Sequence, residues 1–338
     1  MTTTYFDTHD GHATPLTAQT RQTVVCDPGN RFTKWLEGKA PRSIPSYVKA
    51  LASWEDAEPD SHSYVVQLDG KRYAIGRLAQ ELGGKPAFEE GKADLAHLLV
   101  LPAIATSAGS PTRIEQLVIP TPDNRNRAVI QQLKKLENTL DFNLNGVDQV
   151  VSIRQVRTVD ECRGAYLLAK AQKLWKFTAH TNGVVDFGGG TAIARLFTPS
   201  GVLIREADTV LPGTYALAQK LGAALLPVLG QSPDLGLLMD AIAEGVYLYG
   251  TSGVNFAEQF RSVQGDWISE IRNKLKLAWN AHFSNLGEVL IVGGSAPLLS
   301  PLCDASKGRF KIAPQPQFFS LYGLTLESNN GSTNSRGA

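Results

Sequence analysis

Gly183-Val184-Val185-Asp186-Phe187-Gly188-Gly189-Gly190-Thr191 reads as a buried strand that stops at an aspartate and enters a glycine turn. Apolar, β-branched residues suit the strand, and consecutive glycines let the backbone reverse where side chains would collide. Ala192 to Phe197 and Val202 to Glu206 are extended again after the turn. The same punctuation occurs earlier, where Thr23-Val24-Val25-Cys26 runs into Asp27-Pro28-Gly29-Asn30 and Arg31 to Leu36 resumes extended structure. A third apolar strand, Glu288 to Val292, ends in Gly293-Gly294-Ser295-Ala296, where a helix is expected to begin.

A strand, turn and strand unit that occurs twice in 338 residues points to an α/β chain with two related domains, and 43% hydrophobic residues suffice for two cores. Between the first and second turns, Tyr64 to Leu68 and Lys71 to Ile75 flank Asp69-Gly70, a pair that favours a hairpin. Leu117-Val118-Ile119 reads as a strand, Arg125 to Leu140 as a helix through Val129, Leu133, Leu136 and Leu140, Val147 to Val156 as a strand and Val159 to Lys173 as a helix. Helices are expected at Thr214 to Leu229, at Pro233 to Tyr249 and from Phe256 to Phe283 with a bend near Gly265.

The expected organisation is an N-terminal extension over 1–21, a first domain over 22–181 with a small insertion about 37–105, a second domain over 182–327 and a tail over 328–338. The extension and the tail are too polar to bury apolar surface and are expected to be mobile. A net charge of +1 with interspersed acids and bases supplies no electrostatic drive toward DNA or an anionic membrane. No apolar run approaches the roughly 20 residues that span a bilayer, and the N-terminal stretch lacks a signal-peptide core. Three distant cysteines, Cys26, Cys162 and Cys303, fit a reducing cytoplasm.

Three glycine turns at strand ends suit a polyphosphate ligand, because glycine allows close backbone approach and N–H groups then face the anion. Asp27 and Asp186 head the first two turns, where carboxylates orient waters on a magnesium ion that bridges phosphates. Gly293, Gly294 and Ser295 have no acid and suit an adenosine. The competing reading makes both aspartates ordinary turn acids that cap local backbone, and makes Glu161 a helix-first-turn acid. The five tryptophans are expected in cores or interfaces, and the cysteines as small apolar residues.

At these residues the chain resembles the actin, sugar-kinase and heat-shock-chaperone ATPase superfamily, and within it the ParM group of plasmid-segregation actins. Asp27-Pro28-Gly29-Asn30-Arg31-Phe32-Thr33-Lys34 is similar to the group's first phosphate turn, Ile44-Pro45-Ser46 to a segment that follows it, and Gly70 to Gly76 also looks familial. The resemblance implies two actin-like, ribonuclease H-like domains, each with a mixed five-stranded sheet flanked by helices, a nucleotide cleft between them, and a final helix about 316–327 that returns to the first domain.

It implies a ligand set too. Asp27 and Asp186 would bind magnesium through water, with Gly29, Asn30, Arg31 and Lys34 at the phosphates. Gly188, Gly189, Gly190 and Thr191 would hold the β- and γ-phosphates, Gly293, Gly294 and Ser295 would border the adenosine, and Glu244 would approach the ribose. Glu161, in Asp160-Glu161-Cys162-Arg163, would orient the attacking water. The chain departs from the usual pattern at Asp160, where proline is frequent, and at Arg31, where glycine is common.

The implied activity is ATP hydrolysis, with GTP as the alternative nucleotide, coupled to a polar filament of the chain itself. Such a filament would segregate or position plasmid DNA through a DNA-binding adaptor at a centromere-like site, without direct contact to nucleic acid or membrane. Two rivals are a non-polymerising nucleotide switch and a small-molecule kinase of the same superfamily.

Overall fold

A computed structural model describes residues 5–6, 15–16, 18–90, 92–106 and 111–334. The chain divides into two compact units, one running to Glu161 and resuming at Leu324, the other spanning Cys162–Gly323. Of the expected N-terminal extension, 1–4, 7–14 and 17 lie outside the described residues, as do 335–338 of the expected tail. Tyr5–Phe6 pairs antiparallel with Pro15–Leu16.

In the second unit the sheet has five strands. Thr181–Phe187 lies at its centre, antiparallel to Thr191–Phe197, which pairs in turn with Leu203–Pro212, and parallel to Leu286–Val292 on its other side. Phe310–Ile312 closes the edge in parallel. The two central parallel strands are almost wholly buried, because helices cover both faces of such a sheet and select a continuous apolar run.

The first unit repeats this plan and then extends it. Gln19–Pro28, Phe32–Glu37 and Ala40–Pro45 form an antiparallel meander, and Thr112–Thr121 lies parallel to Gln19–Pro28 with Val156–Asp160 parallel beyond it. Among the described residues the sheet reaches eleven strands rather than the expected five. The extra strands enter because Thr139–Leu144 pairs on one side with Val147–Ile153 and on the other with Ser63–Leu68, so the expected insertion is hydrogen-bonded into the domain sheet.

Several expected elements move. The helix expected over Arg125 to Leu140 is confined to Arg127–Lys134, and Leu140 lies instead in the strand Thr139–Leu144. Leu140 satisfies both the helical spacing from Leu136 and the alternation with Phe142 and Leu144, and pairing with two neighbouring strands decides between them. Val159 belongs to the strand Val156–Asp160, and the following helix begins only at Arg163, after Cys162 takes a left-handed backbone at φ 70°. The helix Ala257–Ala278 runs through Gly265 without interruption, and a 3₁₀ turn, Asn280–Asn285, follows it. Strand pairing begins at Gln19, and the last helix, Phe319–Asn334, runs past the expected end at Glu327.

The boundary expected near Thr181 falls at Glu161, because the helix Arg163–Ala171 packs within the second unit. Its Tyr166 ring stacks on Phe197 at 4.4 Å, and the Tyr166 hydroxyl donates to the Thr198 carbonyl at 2.9 Å. Gly164 of that helix meets Gly323 of the last helix so closely that a Cβ on Gly323 would overlap the Gly164 carbonyl. Gly323→Ala is therefore expected to destabilise the protein by about 3 kcal/mol, the upper part of the usual overpacking cost. Gly265→Ala, whose Cβ would enter open space in mid-helix, should instead stabilise by about 0.5–1 kcal/mol. Denaturant midpoints that move in the same direction for both variants would contradict this packing.

Candidate functional site in the acid and glycine turns

Parallel strands place their carboxyl ends on one edge of a sheet, where ligands of open α/β sheets bind. In the first unit Gln19–Pro28, Thr112–Thr121 and Val156–Asp160 all end on that edge. Asp27 is the penultimate residue of the first, and Glu161 directly follows the third, its N–H donating to the Thr121 carbonyl at 2.9 Å. In the second unit Thr181–Phe187 and Leu286–Val292 end together, so the turns after Asp186 and Val292 are neighbours.

The two acid turns have matching geometry. Asp27 pairs across its hairpin with Lys34, and Asp186 pairs with Ile193 at the same sequence separation. A Cβ on Gly29 would stand 2.7 Å from the Phe32 carbonyl oxygen, and one on Gly188 would stand 3.0 Å from that of Thr191, again at a matching offset. The turn folds a carbonyl over the α-carbon at both positions, which demands glycine at Gly29 and favours it at Gly188, and neither residue has a positive φ. The Gly188 N–H closes its turn onto the Thr191 carbonyl at 3.1 Å, and the Gly29 N–H bonds the Asp27 carbonyl at 2.8 Å.

Around Asp27 the first turn is fastened from beneath. Lys34 Nζ lies 2.7 Å from Asp27 Oδ2, with both side chains mostly buried, so Lys34 serves as the counter-ion of Asp27. Ser46, fully buried, donates its hydroxyl to the Gly29 carbonyl at 2.6 Å, and its N–H reaches the Arg31 carbonyl at 2.8 Å. The Thr33 and Ser46 hydroxyls are 2.9 Å apart. These bonds take the turn's carbonyls on its inner side. The Arg31 guanidinium lies over the Phe32 ring at 5.1 Å.

Asp186 is held in the second unit by the Ser320 hydroxyl, which donates to Oδ2 at 3.3 Å. The third glycine turn presses against it: Gly293 has φ 94°, and a Cβ there would fall on the Phe187 carbonyl and the Asp186 carboxylate. The Ser295 N–H bonds the Phe187 carbonyl at 3.2 Å. Ser295 is buried, and its hydroxyl accepts from Thr214, the first residue of the helix Thr214–Leu229. Gly213 carries the start of that helix to the glycine run, since a Cβ on it would stand 2.7 Å from the Gly190 carbonyl oxygen, and the Tyr215 N–H bonds the Gly189 carbonyl at 2.7 Å.

The second unit thus brings Asp186, Gly188 to Thr191 and Gly293 to Ser295 into one constellation, and the first unit joins Asp27, Gly29 and Lys34 in another. Glu161 lies half-buried in the turn between strand and helix rather than inside the helix. Asp160 beside it is buried and accepts the Asn124 N–H at 3.2 Å. Glu244 ends the helix Leu235–Glu244, exposed beside the left-handed cap Gly245.

Sequence reasoning missed Thr214, Ser320 and Trp267, and gave Ser46 no role beyond a familial look. Trp267, fully buried, meets Phe187 edge to face at 5.9 Å and donates its indole N–H to the Pro212 carbonyl at 3.0 Å, supporting both walls of the second turn. Pro212-Gly213-Thr214 before an apolar helix was a readable signal for Thr214; Ser320 and Trp267 had none. Burial pushes the Cys26 thiol well above its ordinary pKa, and it raises Cys303 with help from Asp304, so neither thiol favours the nucleophilic form. Among the described residues no group of three or more His, Cys, Asp or Glu is arranged to hold a metal by protein ligands alone, and no helix is long and apolar enough to cross a membrane.

Residues 26–164 match the family model for the N-terminal domain of actin-like proteins. The fold is similar to an archaeal actin homologue, Ta0583, in its complex with ADP, with a TM-score of 0.73 at 16% identity over 92% of this chain and 100% of that one. It is also similar to the apo psk41 ParM protein, with a TM-score of 0.67 at 16% identity over 94% and 99% of the two chains. A subunit of a 15-stranded ParM filament from Clostridium botulinum matches with a TM-score of 0.71 at 15% identity over 92% and 100%. No curated protein matches the chain by sequence. The protein has the actin-like fold: mixed sheets flanked by helices, with an acid and glycine turn at the carboxyl edge of each.

Ser46→Ala removes the bond to the Gly29 carbonyl and leaves buried polar groups unpaired. It is expected to cost about 1–3 kcal/mol, read as a lower urea midpoint. An unchanged midpoint would show that the turn does not depend on Ser46.

Proposed function

We propose that the chain binds ATP with Mg²⁺, hydrolyses it and polymerises into filaments that segregate or position plasmid DNA through a DNA-binding adaptor. The observation that carries this reading is the matched pair of turns, each with an aspartate at a strand end and a glycine beneath a folded carbonyl. A phosphate chain needs such glycines, because a Cβ would keep backbone N–H groups away from the anion. The donor set fits magnesium held through water: two carboxylates are too few for an all-protein cage but suited to orienting a hydration shell. When bound, the ion would supply positive charge to offset that of the phosphates.

The chain's own residues then divide the work. Asp27, with Lys34 as its counter-ion, and Asp186, held by Ser320, would orient the metal's waters. The backbone of Gly29 to Arg31 and of Gly188 to Thr191 would hold the phosphates. Gly293 and Gly294 would border the base, whereas the Ser295 hydroxyl is engaged by Thr214 and would position the turn. Glu161, at the carboxyl edge of the first sheet, would orient water for in-line attack, which is positioning and not covalent catalysis. The likeness to a ParM filament subunit and to an ADP-bound actin homologue supports the polymer and the nucleotide, respectively.

Sedimentation of the full chain with Mg-ATP, Mg-GTP, Mg-ADP or no nucleotide tests the proposal. Pelleting above a critical concentration, dependent on a nucleoside triphosphate, is expected. A chain that binds ATP yet never pellets would favour a nucleotide switch instead. Asp186→Ala should abolish hydrolysis and weaken metal-nucleotide binding, while Glu161→Ala should slow hydrolysis roughly 100-fold and spare binding. Equal turnover in Glu161→Ala would reject its assigned role.

A further inference from the structure

The parallel strands Thr181–Phe187, Leu286–Val292 and Phe310–Ile312 begin on the side of the second sheet opposite the glycine turns. A groove of about 1040 Å³ opens there. Its charge is one-sided: Lys176, Arg272, Lys276, Lys307 and Arg309 line it with one acid among the described residues, Glu288. The buried Glu288 carboxylate is taken by Lys311 Nζ at 3.1 Å and by the Lys176 N–H at 2.6 Å. All five cations are exposed, and among the described residues none has an ion-pair partner within the chain. Lys276 lies in the last turn of Ala257–Ala278, where a cation complements the helix dipole, but Lys176, Lys307 and Arg309 lie off that helix and have no such reason. A net charge of +1 therefore conceals a local excess of cations.

Aromatic rings share the lining. Phe177 is 51% accessible, and Phe283 and Phe310 are half-buried. Trp279 forms floor instead, since it is fully buried and its indole N–H is taken by the Ala207 carbonyl at 3.0 Å. Polar groups order the walls. Buried Asn182 donates to the Phe177 carbonyl at 3.0 Å and to the His180 carbonyl at 3.2 Å, while its own oxygen accepts the Glu288 N–H at 2.9 Å. Gly287 leaves room for that turn, because a Cβ there would stand 2.7 Å from Asn182 Oδ1 and 3.1 Å from Phe177 Cβ. The turn that carries Lys307 and Arg309 is closed by Ser306, whose hydroxyl donates to the Cys303 carbonyl at 2.7 Å and accepts the Phe310 N–H at 3.0 Å. Walls ordered in advance lower the cost of binding.

We infer that this groove binds single-stranded nucleic acid, with its cations on the phosphates and Phe177, Phe283 and Phe310 against unpaired bases. Unpartnered cations beside accessible rings suit such a strand, because its phosphates recur along the chain and every base offers a face for stacking. A duplex offers the phosphates but hides its base faces, and an acidic peptide offers charge without flat rings, so neither uses the aromatic lining. The volume lies at the upper end of the range for one small ligand, which favours a strand over a single nucleotide. The groove is on the side of the sheet away from the acid and glycine turns, so the inference goes beyond the proposed ATPase and stands without it.

Anisotropy of a labelled oligothymidylate of about twelve nucleotides, within usual site sizes, titrated with the full chain in the absence of ATP, tests this. Wild type should bind, and log affinity should fall against log salt with a slope of about −3.5, from five phosphate contacts at about −0.7 each. Lys276→Glu with Arg309→Glu should weaken binding roughly tenfold or more and flatten that slope. Lys39→Glu with Lys71→Glu, in the first unit, changes the net charge equally and should bind as wild type does. Phe177→Ala should weaken binding roughly tenfold with the slope unchanged, as for a lost stacking ring. All five substituted side chains are exposed, and urea midpoints like that of wild type check that the variants fold.

Absence of binding by wild type overturns the inference, as does equal loss in the groove and control charge variants. A duplex of the same length that binds as well, with no effect of Phe177→Ala, overturns it by assigning the groove to backbone phosphates alone. Displacement of the oligonucleotide by excess ADP would place it in the glycine turns, and displacement by polyglutamate at equal charge would give the groove to an acidic chain. Either result also overturns the single-strand site, and each leaves the ATPase reading to its own test.

Discussion

The constraint on which the structure depends is the closing of a carbonyl over a glycine two residues after an aspartate at the end of a central strand. Phe32 closes over Gly29 so tightly that a Cβ would clash, and Thr191 closes over Gly188 at a distance a Cβ would meet only with the turn giving way. That closure sets the length of the hairpin, and the hairpin fixes which residue stands opposite the aspartate. Everything at the carboxyl edge of each sheet is arranged around it: Ser46 under the first turn, and Gly213, Thr214 and the Gly293 turn around the second.

The two turns are alike in backbone and unlike in electrostatics. Asp27 faces Lys34 and is neutralised within its own hairpin, whereas Asp186 faces Ile193 and receives a hydroxyl from Ser320. A lysine offsets the charge of the first carboxylate, whereas a hydroxyl gives the second a hydrogen bond from a neutral group. A repeated fold unit thus places its two acids in different local surroundings.

Glycine has three distinct uses in this chain. Gly29 and Gly188 admit a carbonyl, Gly293 adopts a left-handed backbone against Asp186, and Gly323 lets the last helix approach Gly164. Only the first two announce themselves as a repeated pattern. Gly323 looks like an ordinary helix residue until the helix it packs against is known.

Read alone, the sequence determined the central strands, their aspartate and glycine turns and the helix Thr214–Leu229, because a buried strand between turns and an amphipathic helix each carry a local period. It could not determine the width of the first sheet or the start of the helix after Glu161. Leu140 fits both a helical and an alternating period, and only pairing with Ser63–Leu68 and Val147–Ile153 decided for strand. Ser46, Ser320 and Trp267 likewise became site residues only in three dimensions, since each acts on a turn distant in sequence. Local periodicity reports which face of an element is buried; which element buries it, and which polar group it satisfies there, is a property of the tertiary fold.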